Sequence, residues 1–262
     1  MVSPIRLLLS NAKFRRKVIH FLKNNFFSEL NLSFPVANGY WARIHEKDAY
    51  DSFAEIFIKK EYSDFLPPEP PRKVLDIGAN YGFFSLWLQS IYPQMPLSST
   101  LVEPSLKCHS SLESLIKNDQ FKGRFKLLKS CIGNPNKEYL DFFDRPFMAS
   151  SVTKDSNEEN GRKVNILKPM ELRKIMPPPW DLLKCDIEGS EWELFLHYKE
   201  LLQESRYLLL EWHSWHGGGR GYSQIIESLK EINFTIINAS EPQPATGRSG
   251  QVGLILCSNQ KI

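Results

Sequence analysis

Cysteine is scarce in this 262-residue chain: Cys108, Cys131, Cys185 and Cys257 are its four, with no CxxC pair and no metal-ligand spacing. That excludes a disulfide scaffold and the common thiolate zinc sites. Three of the four adjoin apolar runs, so buried free thiols in a reducing compartment are expected. No apolar run approaches the ~20 residues needed to cross a bilayer. The mildly apolar start, Ile5 to Leu9, comes before the charges Lys13, Arg15, Arg16 and Lys17. A secretory leader has the opposite order, so a cytoplasmic protein is expected. An excess of one charge is missing too: the formal net charge is +3, too small to argue for nucleic-acid binding. There is no internal repeat. What remains, 42% hydrophobic and 24% charged residues, describes a globular chain long enough for one α/β domain and an extension.

Two units are expected: an extension over residues 1–66 and a core over residues 67–262, divided by the stiff Pro67-Pro68-Glu69-Pro70-Pro71 connector. From Ile5 to Phe27 the pattern is a basic amphipathic helix carrying Arg6, Lys13, Arg15, Arg16, Lys17 and Lys23. Packing on the core with a solvated basic face is favoured over peripheral contact with an anionic membrane. Acceptor or oligomer contacts are a further role for the extension. A hairpin from Leu32 to Ile44 turns at Asn38-Gly39, and a helix from Asp48 to Tyr62 buries Phe53, Ile56 and Phe57.

In the core, apolar runs alternate with helical stretches. Strands are expected at Lys73–Ile77, Ser99–Val102, Phe125–Ile132, Tyr139–Phe143, Leu182–Cys185 and Tyr207–Trp212, then Phe234–Asn238 and Val252–Cys257 as antiparallel neighbours. Helices fall at Gly82–Ile91, Ser105–Asn118, Ser190–Leu202 and Tyr222–Ile232. This alternation predicts a mostly parallel sheet of seven strands with helices on both faces. The polar stretch from Ala149 to Arg162 and the run His216 to Gly221 read as loops.

The first informative block is Val74-Leu75-Asp76-Ile77-Gly78-Ala79-Asn80-Tyr81-Gly82, leading into a helix at Phe83. A strand that ends in a glycine-bearing turn places a ligand at the carboxyl edge of the sheet, and Gly78 and Gly82 would let backbone approach it. The dinucleotide fingerprint needs three glycines, whereas here Asn80 takes one place. Asp76 would repel a diphosphate but suits the cationic methionine end of S-adenosylmethionine. The next strand ends in Glu103-Pro104, about twenty residues on, where an acid accepts from ribose hydroxyls. Ser130 and Cys131 end the third strand at the edge that would line an adenine pocket.

The second block is Leu183-Lys184-Cys185-Asp186-Ile187-Glu188-Gly189-Ser190-Glu191. If the strand runs on, Asp186 and Glu188 share a face, while Glu191 suits the first turn of a helix. Together, LDIGANYG, VEPS and LLKCDIEGSEWELF resemble the FkbM family of S-adenosylmethionine-dependent methyltransferases over roughly Tyr62 to His213. The resemblance implies a Rossmann-like class I methyltransferase fold and O-methylation, often of sugars or natural-product hydroxyls. By motif, Asp76, Gly78, Asn80, Gly82 and Glu103 would hold the cofactor, with Asp186 and Glu188 at the reaction edge.

A hydroxyl acceptor must lose its proton to a group within hydrogen-bond reach. The candidates are Asp186, Glu188, Glu211 and His213, and the imidazole has the ordinary pKa best suited to the task. The same four residues offer a site for magnesium or manganese. Trp212, Trp215 and Tyr222 are candidates to stack on a sugar ring, although tryptophan at a sheet edge is more often core. Two alternatives differ in class: a non-catalytic binding module of this fold, and an NAD-dependent oxidoreductase. Nucleic acid is not the expected partner, and the sequence leaves oligomeric state open.

Overall fold

A computed structural model describes residues 32–44, 47–144, 161–215, 221–245 and 249–262. The expected basic helix before Phe27, most of the polar loop after Ala149 and the run 216–220 lie outside these residues.

Asn38 and Gly39 reverse the chain with φ of 59° and 79°. Strands β1 (Leu32–Pro35) and β2 (Trp41–Ile44) therefore form the antiparallel hairpin that an Asn-Gly pair predicts. The helix after it departs from expectation: α1 spans Lys47–Phe53, and Ala54–Lys59 then widens into a π-helical turn that ends at Lys60 with φ 56°. The wider turn keeps Phe53 and Ile56 buried while Asp48, Ser52 and Glu55 face a cleft, and such insertions recur at functional positions. Ala42, Ile44, Ala49 and Phe53 share one core with Phe83, Phe84, Leu101 and Leu209. Phe53 stacks on Phe34 and on Phe57, both at 5.1 Å. Each such buried side chain contributes about 1.5–3 kcal/mol, which holds the hairpin and α1 on the sheet.

Beyond the proline connector come β3 (Lys73–Ile77), α2 (Phe83–Ile91), β4 (Ser98–Val102), α3 (Leu106–Lys117) and β5 (Phe125–Leu128). Then follow β6 (Ser130–Cys131), β7 (Tyr139–Phe142), β8 (Arg162–Ile166), α4 (Pro169–Ile175) and β9 (Trp180–Cys185). The chain continues through α5 (Glu191–His197), α6 (Lys199–Gln203), β10 (Ser205–His213), α7 (Tyr222–Glu231), β11 (Phe234–Ala239), β12 (Gln243–Pro244) and β13 (Gln251–Asn259).

The main sheet runs β5-β4-β3-β9-β10-β13-β11, with the two-residue β12 also paired to β13. Strands β3, β4, β5, β9 and β10 are parallel, and β13 lies antiparallel between β10 and β11. Alternation along the strands feeds two cores. Val74, Leu182 and Leu209 face α2, α3 and the N-terminal elements; Leu75, Ile77, Leu183 and Leu210 face α4 to α7.

Two further expectations need correction. The third strand does not run on to Ile132. Ser130 and Cys131 leave the main sheet and join a separate one ordered β6-β8-β7, where Cys131, Phe142, Val164 and Ile166 make their own small core. The helix expected from Ser190 to Leu202 breaks at Tyr198, which adopts φ −127°; its ring is buried and its hydroxyl donates to the Leu167 carbonyl at 2.9 Å. The elements β8 and α4 answer to no strand or helix expected from the sequence.

Candidate active site

From β3 the chain moves outward to β4 and β5, then returns to the other side of β3 to lay down β9 and β10. That reversal leaves a crevice beyond the carboxyl ends of the strands. A cleft of about 1210 Å³ of atom-free space, partly open to solvent, occupies it. Its floor is made by Ile77, Gly78, Glu103, Asp186 and Glu211, and its outer wall by Asp48, Ser52, Glu55, Glu61 and Tyr62.

The glycine turn is satisfied from within. The N–H groups of Gly78 and Ala79 donate to the Val102 carbonyl at 3.0 and 3.1 Å, and that of Gly82 to Ala79 at 2.7 Å. The Asn80 N–H donates to Glu103 Oε2 at 2.7 Å. Protein packing also requires glycine at positions 78 and 82. With φ 73°, a Cβ on Gly78 would stand 1.7 Å from the Asp186 carbonyl oxygen, and one on Gly82 would stand 2.6 Å from Leu115.

Asp76 also differs from expectation. Being one residue out of phase with Leu75 and Ile77, its side chain turns under the turn, is fully buried and does not line the cleft. It accepts from Ser85 Oγ at 2.8 Å and lies 3.7 Å from Lys184 Nζ. Ala79 and Phe83 are buried and likewise absent from the lining, whereas Asn80, Glu103, Pro104, Ser130 and Cys131 line it. Glu103 takes the Asn80 and Ser105 N–H groups on its two oxygens, at 2.7 and 2.8 Å. Burial pushes its pKa up to about 7, those two N–H bonds holding it back.

On the opposite side, Asp186 follows β9, while Glu211 and His213 lie two residues apart in β10 and so share a face. Glu188 lines the cleft with Asp186 and Glu211, whereas His213 is buried and absent from the lining; Glu188 does not continue a strand. Its φ is 55° and that of Gly189 is 99°, so the block bends instead of extending. Glu211 Oε2 accepts from the Tyr62 hydroxyl at 2.9 Å; burial and the neighbouring Asp186 raise its pKa well above the carboxylate range, with His213 opposing. His213 Nδ1 lies 2.8 Å from Glu191 Oε1. Burial disfavours its charged form, yet Glu191, then Glu188 and Glu211, outweigh this and push its pKa up to about 10. The raised value departs from the ordinary imidazole pKa on which the sequence argument for a base relied.

Lys184 is the residue that ties the two sides. Its ammonium is buried, donates to the Gly78 carbonyl at 2.8 Å, and lies 3.7 Å from Asp76 and 3.5 Å from Asp186. Burial works against its charge, but Asp186 and Asp76 raise its pKa. A lone lysine inside the run Leu182-Leu183-Lys184-Cys185 signals such a partner, because buried lysine is rare without one. Tyr62, Glu55 and Glu61 carried no comparable signal. Glu55 has its pKa pushed up to about 7 by burial and by Glu61, with Lys59 opposing. Of the aromatic candidates, Trp212 is core, Tyr222 tilts against it at 5.7 Å, and Trp215 tilts against His213 at 4.3 Å.

This strand order, with a single antiparallel strand near one edge and a cleft at the reversal point, defines the Rossmann-like class I methyltransferase fold. No family model matches the chain and no curated protein matches it. Among solved structures, methyltransferase FkbM from Methylobacillus flagellatus KT aligns with 16% identity and a TM-score of 0.48, over 74% of this chain and 45% of its own. The chain thus spans under half of that structure. Fibrillarin, a pre-rRNA processing protein of Methanococcus jannaschii, aligns with 10% identity and a TM-score of 0.49, over 88% of this chain and 84% of its own. TrmK of M. capricolum, bound to S-adenosyl-homocysteine, aligns with 10% identity and a TM-score of 0.47, over 78% of this chain and 69% of its own. Membership in the FkbM family stays an expectation of the motifs.

Proposed function

We propose that this protein transfers the methyl group of S-adenosylmethionine to a hydroxyl on a sugar, glycoconjugate or natural product. One observation carries the reading: the glycine turn spends its N–H groups inside the protein while carboxylates flank it. A diphosphate needs free N–H donors at such a turn, but those of Gly78, Ala79, Asn80 and Gly82 are all engaged. Glu103 and Asp186, which line the cleft, repel a diphosphate and suit a sulfonium and an ammonium. NAD is therefore disfavoured, and Glu103 takes a ribose hydroxyl on its remaining lone pairs in this reading. Asp48, Glu55, Glu61, Asp186, Glu188 and Glu211 all line the cleft, which disfavours a polyphosphate acceptor such as nucleic acid and offers acceptors for carbohydrate hydroxyls.

In the reaction, the acceptor oxygen attacks the methyl carbon in line with the breaking carbon–sulfur bond, and S-adenosylhomocysteine leaves with the electron pair. Catalysis is chiefly alignment of the two reactants. Glu188 receives the hydroxyl proton. The first test is calorimetric titration with S-adenosylmethionine, its demethylated product and NAD. Micromolar binding of the first two and none of NAD is expected; tight NAD binding, or no binding by a folded sample, would overturn the reading. Glu188→Gln is expected to keep cofactor affinity and lose turnover.

A further inference from the structure

Three donors from neighbouring strand ends converge, Asp186 and Glu211 lining the cleft and His213 buried beside them. One carboxylate oxygen each from Asp186 and Glu211 and a ring nitrogen of His213 lie within 4.8 Å of one another. Each is held from behind by a residue outside the group. Lys184 Nζ stands 3.5 Å from Asp186 Oδ2, the Tyr62 hydroxyl donates to Glu211 Oε2, and Glu191 holds His213 Nδ1. A carboxylate on the far nitrogen of an imidazole is the usual support of a metal-ligating histidine.

A second observation is independent of the acidic character of the group. The His213 side chain is only 3% exposed, and its Nδ1 is spent on Glu191. Its Nε2 makes no hydrogen bond among the described residues and faces Glu211 Oε1 at 3.9 Å. The ring nitrogen therefore points at a carboxylate beyond hydrogen-bond distance, the spacing of two donors that share an ion rather than of a direct bond.

We propose that Asp186, Glu211 and His213 bind one divalent cation, which holds and polarises the acceptor hydroxyl. The proposal rests on the methyltransferase reading for the role of the ion, though not for its binding. Two oxygens and one imidazole suit manganese better than magnesium. At metal–ligand bonds of about 2.1 Å, cis donors stand about 3 Å apart and trans donors about 4.2 Å; the 3.9 Å between His213 and Glu211 falls between these. Glu188, expected as a fourth ligand, is not in the group and lines the cleft beside it.

The test is titration of Mn²⁺ into the folded chain, following the free-ion signal by electron paramagnetic resonance. One site per chain is expected. Its affinity should fall at least tenfold in Glu211→Gln and in His213→Gln, and about tenfold in Glu191→Gln, with Glu188→Gln unchanged. Pulsed spectra of the wild-type complex should show coupling to one imidazole nitrogen, a readout that needs no variant to fold. Absence of a stoichiometric site, or a bound ion without nitrogen coupling, overturns the proposal. Cofactor binding measured in parallel separates the two readings: a cofactor site without a Mn²⁺ site removes only the metal, and the converse removes only the methyltransferase.

Discussion

Lys184 donates its ammonium to the Gly78 carbonyl at 2.8 Å while standing between Asp76 and Asp186. One buried cation thereby joins the glycine turn after β3 to the acidic turn after β9, the two turns that floor the cleft. The register places Lys184 directly beside Asp76.

Replacing Lys184 with methionine should therefore cost more than a surface charge would. The change leaves Asp76, fully buried, with only Ser85 as a partner among the described residues. Removing one member of a buried pair typically costs about 3–5 kcal/mol, and a loss of that size is expected in the denaturant unfolding of Lys184→Met. A loss under about 1 kcal/mol would mean that solvent reaches Asp76.

Two glycines with similar backbone angles should respond differently to alanine. Gly39 has φ 79° with nothing within 4 Å of its missing Cβ, whereas at Gly78 (φ 73°) the Asp186 carbonyl stands 1.7 Å away. Left-handed strain alone costs about 1–2 kcal/mol, which is the loss expected for Gly39→Ala. Gly78→Ala adds a backbone clash and should lose about 3 kcal/mol or more, together with cofactor binding. Equal losses in chemical denaturation would show that the two turns can move apart.

Glu103 should matter to both the turn and the ligand. Its two oxygens each accept a backbone N–H, from Asn80 and from Ser105. In Glu103→Gln one of these N–H groups faces an amide N–H instead of an acceptor, and a buried donor without a partner costs about 1–3 kcal/mol. Calorimetry should show S-adenosylmethionine affinity at least tenfold weaker. Unchanged affinity would place the ribose elsewhere.

Stability should fall as pH rises through the weakly acidic range. Glu55 and Glu103 are both pushed from the ordinary 4.5 to about 7 in the folded state. Between those values the folded chain binds more protons than the unfolded one, so stability is fullest below about 4.5 and declines until about 7. The thermal midpoint of the unliganded protein is expected to drop from about pH 5 to about pH 8. Glu55→Gln should raise the midpoint at the upper end and flatten the slope. A wild-type midpoint that climbs over this range would contradict the assigned direction.

Much of the fold was legible because its signals are local. The Asn38-Gly39 turn, the apolar run Lys73–Ile77 ending in a glycine turn, and the alternation through β9 and β10 each declare an element from a few adjacent residues. Glu103 was found by the same means, as an acid ending the second strand of the core. Where local pattern and packing compete, the reading slipped: the run through Ile132 looks like one strand until Cys131 finds a better core beside Phe142 and Val164.

The site was legible only in part. The sequence by itself determined that acids would stand at the ends of β3, β4, β9 and β10, since strand ends and side-chain parity are local properties. Only the tertiary structure decided that Asp76 turns inward to Lys184, that Tyr62 reaches Glu211 across 149 positions of chain, and that Glu191 captures His213. Those contacts depend on which strands are neighbours and in what register. Strand order and register are set by the burial of the two whole faces of the sheet, and no single segment of the chain encodes them.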